Sequence, residues 1–597
     1  MSKLVSRRNI DFLLFDWLRL DDLLARPLYE DHDRDTVTSV IDLGAQIAQE
    51  QFAPINQLLD AQEPTMADDG TVLHPDGLKQ ALAAYTDSGL PSAAFPPELG
   101  GMLLPFSVVQ AVFVHLHAAS MGAAGYPMLG AGNAALLYAY GSPEQITRFA
   151  VPVVEGRWYG TMCLSEPDVG SSLGDLTTRA VPQDDGTWRV FGTKMWISGG
   201  DQSLSDNIIH LVLARTPDGP AGVKGLSLFV VPKVLVEPDG SLGERNDVTL
   251  VGLNHKMGCR GTTNTLLSFG EGRWTPGGAP GAVGELVGEV GQGLAAMFHM
   301  MNEARIGVGL GAVALGNTGY LHSLAYARER TQGRPLADRD PQTPMVPIIE
   351  HPDVRRMLLA QKAYAEGGLA LSLYCARLVD EQRSGDEAAK RRATELLDML
   401  TPIAKSWPSQ WCLEGNAMAI QVLGGYGYTR DYPLEQFYRD NRLNPIHEGT
   451  VGIQGLDLLG RKVTAHGGAG LALLLATMQE TVQQARVAGG DAATYAEQLA
   501  LSLGRIADVT ATLWADRDAE VALANATLYL EAVGHTVVAW LWLDQLLAVA
   551  GDDAFARGKR AAVRYFYRYE LPKTAPTFDL LGSKDRTTLD LNPADLD

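Results

Sequence analysis

Four segments carry residue types that chemistry needs. Asn444-Pro-Ile-His447-Glu448-Gly449-Thr450 sets a lone carboxylate between a proline and a glycine, after a long helical region rich in small residues. Gln421-Val-Leu-Gly424-Gly425-Tyr-Gly427 ends a helix in glycines that can take positive φ and let a ligand approach the backbone, which suits a pyrophosphate or an adenosine. Met162-Cys-Leu164-Ser165-Glu-Pro-Asp-Val-Gly170-Ser171-Ser172 puts backbone groups and small hydroxyls at a strand end followed by a turn. A planar heterocycle with alternating donors and acceptors requires such an edge. Lys194-Met-Trp196-Ile-Ser198 adds a large aromatic and a hydroxyl at alternate positions, which in a strand share one face. The last three also have a plainer reading: a helix C-cap, a Ser-Glu-Pro turn, a core tryptophan.

The elements that must position these segments follow from periodicity. Val37 to Phe52, Leu78 to Ser88 and the nearly uncharged stretch Phe106 to Tyr140 predict helices, the last a buried pair. From Trp158 short β-prone runs replace them: Trp188-Arg-Val-Phe, Asn207 to Ala214 and Leu226 to Val231, each bounded by Gly, Pro, Asp or Asn. After about residue 284 long helices return, over Gly293 to Gln332, Asp353 to Arg383, Ala388 to Leu423 and from near Gly452, with few charges and many Ala, Gly and Leu, as in a bundle. From about His466 the chain is again helical, with breaks at Gly489-Gly490 and Gly551-Asp-Asp553 and an irregular tail from Pro572.

Composition sets bounds. A chain of 597 residues, 46% hydrophobic and 20% charged, is globular with room for three or four domains. Its net charge of −21 and pI near 5.0 disfavour nonspecific attraction to nucleic-acid phosphates or anionic lipid. The N-terminus turns acidic at Asp11 and Asp16 without a signal-peptide core, and no apolar run is expected to span a bilayer, so a cytoplasmic protein is expected. Cys163, Cys259, Cys375 and Cys412 are scattered without a CxxC pair and read as free structural thiols.

Jointly, the four segments resemble the acyl-CoA dehydrogenase family of flavoenzymes. The resemblance covers about residues 36 to 462 and extends into the longer branch with an additional C-terminal helical domain, which includes enzymes of long-chain acyl-CoAs and of 3-(methylthio)propanoyl-CoA. It implies an α+β multidomain fold: an N-terminal helical domain (1–157), a middle β-barrel-like domain (158–283), a C-terminal four-helix bundle (284–465) and a helical extension (466–597). It implies FAD as cofactor, an acyl-CoA substrate, an electron-transfer flavoprotein as acceptor, a homodimer or dimer of dimers, no nucleic acid and no membrane insertion. An oxidase passing electrons to oxygen and a noncatalytic DNA-binding flavoprotein of the same fold are the alternatives. The intact Glu-Gly-Thr segment and the acidic charge argue against the second.

Carried over residue by residue, the resemblance makes Glu448 the base that removes the substrate α-proton while the flavin takes the β-hydrogen as hydride. The backbone N–H of Glu448 would bind the thioester oxygen, Gly449 would permit close approach, and Thr450 would bind flavin. Met162, Leu164, Ser165, Trp196 and Ser198 are expected at the flavin, with Ser171 at the thioester or pantetheine end. Gln421, Gly424, Gly425, Arg330 and Gln332 are expected along the dinucleotide, Arg330 and Gln332 reaching a partner subunit's FAD. Asn302 and Arg305 are expected near the CoA or the base.

The chain departs from the family pattern at His447, where Tyr is common; at Gly452, where Gln is common, although Gln454 follows; and at Asn302, where Asp is common. Some branches place their base on the helix of Asn302. Ala304 stands at that position here, leaving Glu303, one residue away and turned by about 100°, as the backup. His255 and His351 lack a second ligand at metal-like spacing, so no metal is expected. Trp540 and Trp542 read as an apolar helix face, Arg557-Gly-Lys-Arg560 as a solvated one, and Gly367-Gly368 as a close helix approach or extra pocket space.

Overall fold

Periodicity switches twice along the chain, and the structure, a computed structural model, follows both switches. It describes residues 3–338 and 340–597, the side chains of residues 299–301 excepted. Contacts divide the chain into two compact units, Asp35–Ala304 and Met1–Arg34 with Arg305–Asp597.

In the first unit the expected buried pair forms as Phe106–Ala119 and Met121–Tyr140. Ser120 separates them because its side chain caps the second helix, accepting from the Ala123 N–H at 3.4 Å. Asn133, fully buried on that second helix, donates to the carbonyls of Thr161 and Ile209 at 3.0 and 2.9 Å, anchoring it to two adjacent strands. The eight-stranded sheet runs in the order Val248–Leu253, Asn264–Phe269, Trp188–Ser198, Ala282–Val287, Leu226–Pro232, Ile208–Arg215 and Tyr159–Cys163. Arg179–Pro182 pairs with both Trp188–Ser198 and Ile208–Arg215. Tyr159–Cys163 lies parallel to Ile208–Arg215, and most other pairings are antiparallel.

The central strands Ile208–Arg215 and Leu226–Pro232 are buried on both faces, which is why they read as continuous apolar runs. Their odd and even positions feed two cores. Leu211, Leu213, Leu228 and Val230 pack with Leu136, Leu137 and Trp158. Val212, Phe229 and Val231 pack with Val190, Leu267 and Phe269 on the other face.

In the second unit the bundle helices are Gly293–Glu329, whose first part belongs to the other unit, Pro352–Ser384, Glu387–Leu423 and Val451–Leu456, which continues to Lys462. Asp386 starts the third, its carboxylate accepting from the N–H groups of Ala388 and Ala389 at 3.0 and 2.8 Å. The first ends at Glu329 rather than Gln332. Beyond it Thr331 pairs with Pro347, and backbone bonds from Gln332 to Val346 and from Ile348 to Arg330 replace helical ones.

The rear helices are Ala469–Ala488, Gly490–Trp514, Ala526–Ala548, Ala554–Tyr565 and Thr574–Gly582. The last corrects the expected irregular tail: it buries Phe578 and Leu581. Residues before Arg34 join this unit, Trp17 donating to Asp544 at 2.8 Å and Arg26 gripping Glu381 at 2.6 and 2.9 Å. Ala526–Ala548 also corrects the expectation that no run could span a bilayer. It is long and apolar enough, but 83% of its most apolar window is packed inside the protein, Trp540 and Trp542 included.

Two further readings change. Lys559, expected on a solvated face, is fully buried, because it lies three and four residues from Ala556, Ala562 and Val563 on the apolar side of its helix. Gly367 leaves no extra pocket space. A Cβ there would meet Trp542 Nε1 at 2.8 Å and Val538 at 2.9 Å, and Gly368 likewise admits Val313.

Candidate active site

The Glu448 segment is a strained turn between two helices. Leu434–Asn441 leads into it, and Thr450 caps the helix that follows, its Oγ1 accepting from the Ile453 N–H at 3.3 Å. Glu448 takes φ +53° and Gly449 φ +87°. A non-glycine residue in this region costs on the order of 1 kcal/mol, so the surroundings must impose it. Three contacts do so. Gln454, fully buried, donates from Nε2 to the Glu448 carbonyl at 3.0 Å; Lys405 donates to the Gly449 carbonyl at 2.7 Å; and a Cβ on residue 449 would lie 2.6 Å from Gln454 Nε2, so only glycine fits. Among the described residues nothing accepts from the Glu448 N–H.

A ladder of buried amides supports the turn from below. Asn416 donates to the Leu315 carbonyl at 2.9 Å, Asn441 to Asn416 Oδ1 at 2.7 Å, and Asn444 to Asn441 Oδ1 at 2.9 Å. His447 closes the series, its Nε2 lying 3.1 Å from Asn444 Oδ1. Burial, reinforced by the Lys405 charge, pushes His447 down to about 3. It is therefore neutral at pH 7, and the geometry assigns its proton to Nε2.

Charge around Glu448 is mixed. Burial raises its carboxyl above the usual carboxylate range, while Arg305 and Lys405 pull it back. Arg305 is buried and pairs with Asp457 at 3.3 Å, and Asp457 also holds Arg461 at 2.7 Å. Lys405 is pushed down to about 7, first by burial, with Glu448 opposing the shift. Asn302 and Glu303 are half-buried on the Gly293–Glu329 helix.

The glycine turn is open. Gly424 takes φ +59°, and a Cβ on Gly424 or Gly425 would meet nothing within 4 Å; a Cβ on Gly427 would strike the Ile420 carbonyl at 2.2 Å, so the backbone doubles back there. Gln421 is exposed at the same end. Arg330 reaches this turn, its guanidinium 6.0 Å from the Tyr426 ring, and it approaches Gln332 Oε1 at 3.5 Å. His351 is structural, donating from Nε2 to the Gln332 carbonyl at 2.7 Å.

In the other unit the two strand segments are joined directly. Met195 N–H donates to the Ser165 carbonyl at 3.0 Å, and the buried Lys194 donates to the Leu164 carbonyl at 2.9 Å and to Glu166 at 3.1 Å. Met162, Leu164 and Ser165 are half-buried here, and Ser171 is exposed on the turn beyond. A bulge sets Met195 and Trp196 against one residue of the neighbouring strand, leaving Trp196 at φ +66° and 58% exposed. Ile197 points inward between Trp196 and Ser198, so those two share the outer face, and Ser198 Oγ accepts from Asn264 at 3.2 Å. An exposed indole beside neutral hydroxyls and peptide groups, and an open glycine turn beside Arg330, suit a planar ring and a phosphate-bearing tail respectively.

His255 lies on the surface 3.3 Å from Glu63, and no cluster that could hold a metal occurs among the described residues. Sequence reasoning missed Lys405, the asparagine ladder and the Glu166–Lys194 pair. Lys405 had a signal: it is the sole charge between Met399 and Cys412. The ladder had none, since asparagines ending a helix are common.

Comparison with known proteins agrees along the chain. Residues 161–271 match the acyl-CoA dehydrogenase middle domain, 291–464 the acyl-CoA dehydrogenase C-terminal domain, and 474–592 the family described as acetyl-CoA dehydrogenase C-terminal like. The chain is 37% identical to the 3-methylmercaptopropionyl-CoA dehydrogenase of Ruegeria pomeroyi, over 94% of each protein. It is 36% identical to the broad-specificity linear acyl-CoA dehydrogenase FadE5 of Mycobacterium tuberculosis, over 98% of each. Its fold is similar to that of Caenorhabditis elegans ACDH-11, solved with C11-CoA, with a TM-score of 0.72 at 19% identity over 94% of this chain and 90% of that one.

Proposed function

Because the chain belongs to the acyl-CoA dehydrogenase family, whose members are flavin-dependent oxidoreductases, we propose that it converts an acyl-CoA thioester to the trans-2-enoyl-CoA with Glu448 as base. The observation that carries this reading is the Glu448 turn: a carboxyl raised by burial, next to a backbone N–H that no group among the described residues occupies.

An acyl thioester α-proton is far too weak an acid for an ordinary carboxylate, so two conditions must be met. The carboxyl must be desolvated enough to be a stronger base, and the developing enolate oxygen must find a donor in place. Burial supplies the first, and the Glu448 N–H, fixed by the Gln454 and Lys405 bonds to its own turn, is suited to the second. Neutral His447 adds no competing charge. Arg305, paired with Asp457, supplies positive potential that favours the ionised Glu448 carboxylate.

FAD is the cofactor this reading requires, and when bound it would supply the acceptor for the β-hydrogen as hydride. Met162, Leu164, Ser165, Trp196, Ser198 and Thr450 would hold its ring, and Gln421, Gly424, Gly425, Arg330 and Gln332 its adenosine diphosphate portion, in part from a partner subunit of a homodimer. Ser171, Asn302, Arg305 and Gly449 would meet the thioester and CoA. The names of the two relatives support an unbranched acyl chain, with or without a thioether. An electron-transfer flavoprotein is the acceptor proposed.

The test is anaerobic titration of the yellow protein with short, medium, long, branched and methylthio acyl-CoAs, following flavin bleaching. Glu448→Gln should slow bleaching on the order of 10³-fold or more with FAD content unchanged. Bleaching at the normal rate in that variant refutes the base assignment.

A further inference from the structure

Lys405 is a fully buried ammonium with one hydrogen bond among the described residues, to the Gly449 carbonyl at 2.7 Å, and with no carboxylate at ion-pair distance. The residues one turn away on its helix, Thr401, Pro402, Pro408 and Ser409, are buried, and both hydroxyls donate to backbone carbonyls rather than to the ammonium. A charge held this way is costly, and an apolar side chain of equal length would pack there without the cost. The charged groups around Glu448 come from three helices. Arg305 lies on the first bundle helix, Lys405 on the third, and Asp457, Arg461 and Lys462 on the one after the turn; His447 on the turn itself is neutral. Arg305 and Lys405 both pull the Glu448 carboxyl down, Arg305 more, but Arg305 also pairs with Asp457, whereas Lys405 has no carboxylate at ion-pair distance among the described residues.

We infer that Lys405 is a positioning residue for the base: its ammonium holds the Gly449 carbonyl, and with it the left-handed turn, and its charge acts with that of Arg305 to favour the ionised Glu448 carboxyl. This rests on the reading of Glu448 as base. Burial pushes Lys405 down to about 7 while Glu448 pulls it back up, and Lys405 in turn pulls the Glu448 carboxyl down, so the charge of each favours the charge of the other.

The experiment uses the FAD-loaded protein and compares wild type with Lys405→Gln, which keeps a donor for Gly449 without the charge, and Lys405→Arg, which keeps the charge. The first readout is the infrared band of the protonated Glu448 carboxyl, assigned by its loss in Glu448→Gln and titrated with pH. The second is the pH dependence of the rate of flavin bleaching by a saturating acyl-CoA. In Lys405→Gln the carboxyl midpoint should rise by about one pH unit, taking the acid limb of the rate with it and lowering bleaching about tenfold below the wild-type midpoint. Lys405→Arg should keep the wild-type midpoint. Unchanged midpoints in Lys405→Gln, or an equal shift in Lys405→Arg, overturn the inference. Should the glutamine variant not fold, Lys405→Met takes its place with the same expected shift. Normal bleaching in Glu448→Gln would instead overturn the base assignment, and the infrared comparison would still read whether Lys405 controls that carboxyl.

Discussion

Gly455 lies directly against the backbone of Ala526: a Cβ on Gly455 would stand 2.8 Å from the Ala526 carbonyl carbon and oxygen and 3.0 Å from the Thr527 nitrogen. Gly455 is on the short helix that Thr450 caps, and Ala526 opens the most apolar of the long helices of the C-terminal extension. A little further along, a Cβ on Gly460 would meet the Leu523 side chain at 3.3 Å. The extension therefore backs the element that carries the Glu448 turn. Gly455→Val should force these backbones apart, costing about 1–3 kcal/mol of stability. It should also lower the bleaching rate with FAD content retained. Urea unfolding and anaerobic stopped-flow measurements check both, and wild-type values would mean that the extension yields freely.

Glu166 holds the strand end of Met162 and Ser165. Its carboxylate accepts from the N–H and hydroxyl of Thr177, both at 2.7 Å, from those of Thr178 at 2.9 and 2.6 Å, and from Lys194 at 3.1 Å. Burial alone would raise this carboxyl, but Lys194 and the threonine donors outweigh it and hold it at about 2. A depressed folded-state value means the stabilisation is present above about 4.5 and is lost as pH falls toward 2. Glu166→Gln strands the Lys194 ammonium in the core and should cost about 3–5 kcal/mol at neutral pH. The gap from wild type should narrow below about pH 4.5, as read from Tm against pH. A pH-independent gap would contradict the assignment.

Glu366 joins the bundle to the extension by pairing with two ammonium groups, Lys362 on its own helix and Lys559 at 3.0 Å. Lys559 also donates to Gln545 at 3.0 Å and lies 5.0 and 5.1 Å from the Trp542 and Phe12 ring centres. Glu366→Gln leaves the buried Lys559 and the half-buried Lys362 without a counter-charge and should cost about 3–5 kcal/mol. Lys559→Met, which removes the excess charge and leaves the Lys362 pair intact, should cost less than about 1 kcal/mol or stabilise. Denaturant midpoints of the two variants decide the order, and the reverse order would place the stabilisation in Lys559 itself.

Much of the fold was legible because its signals are local. Long runs with few charges and many Ala, Gly and Leu mark the bundle helices, uncharged runs bounded by Gly and Pro mark the central strands, and Ser120 and Asp386 stop and start helices through bonds two or three residues long. The Glu448 segment stood out locally too, as a lone carboxylate between a proline and a glycine; that it is a turn with positive φ at Glu448 and Gly449 came from the structure.

By itself, then, the sequence determined where helices and strands lie, which segments end in turns able to meet a ligand, and the family resemblance those segments carry. Tertiary structure alone decided which distant groups set the properties of those turns. Lys405 reaches Gly449 across 44 residues of chain, Lys194 reaches Glu166 across 28, and Trp542 donates to the Ala363 carbonyl across 179. None of these partners shares a periodic pattern with the other, and each interaction depends on burial, which strengthens charges and hydrogen bonds only once folding has excluded water.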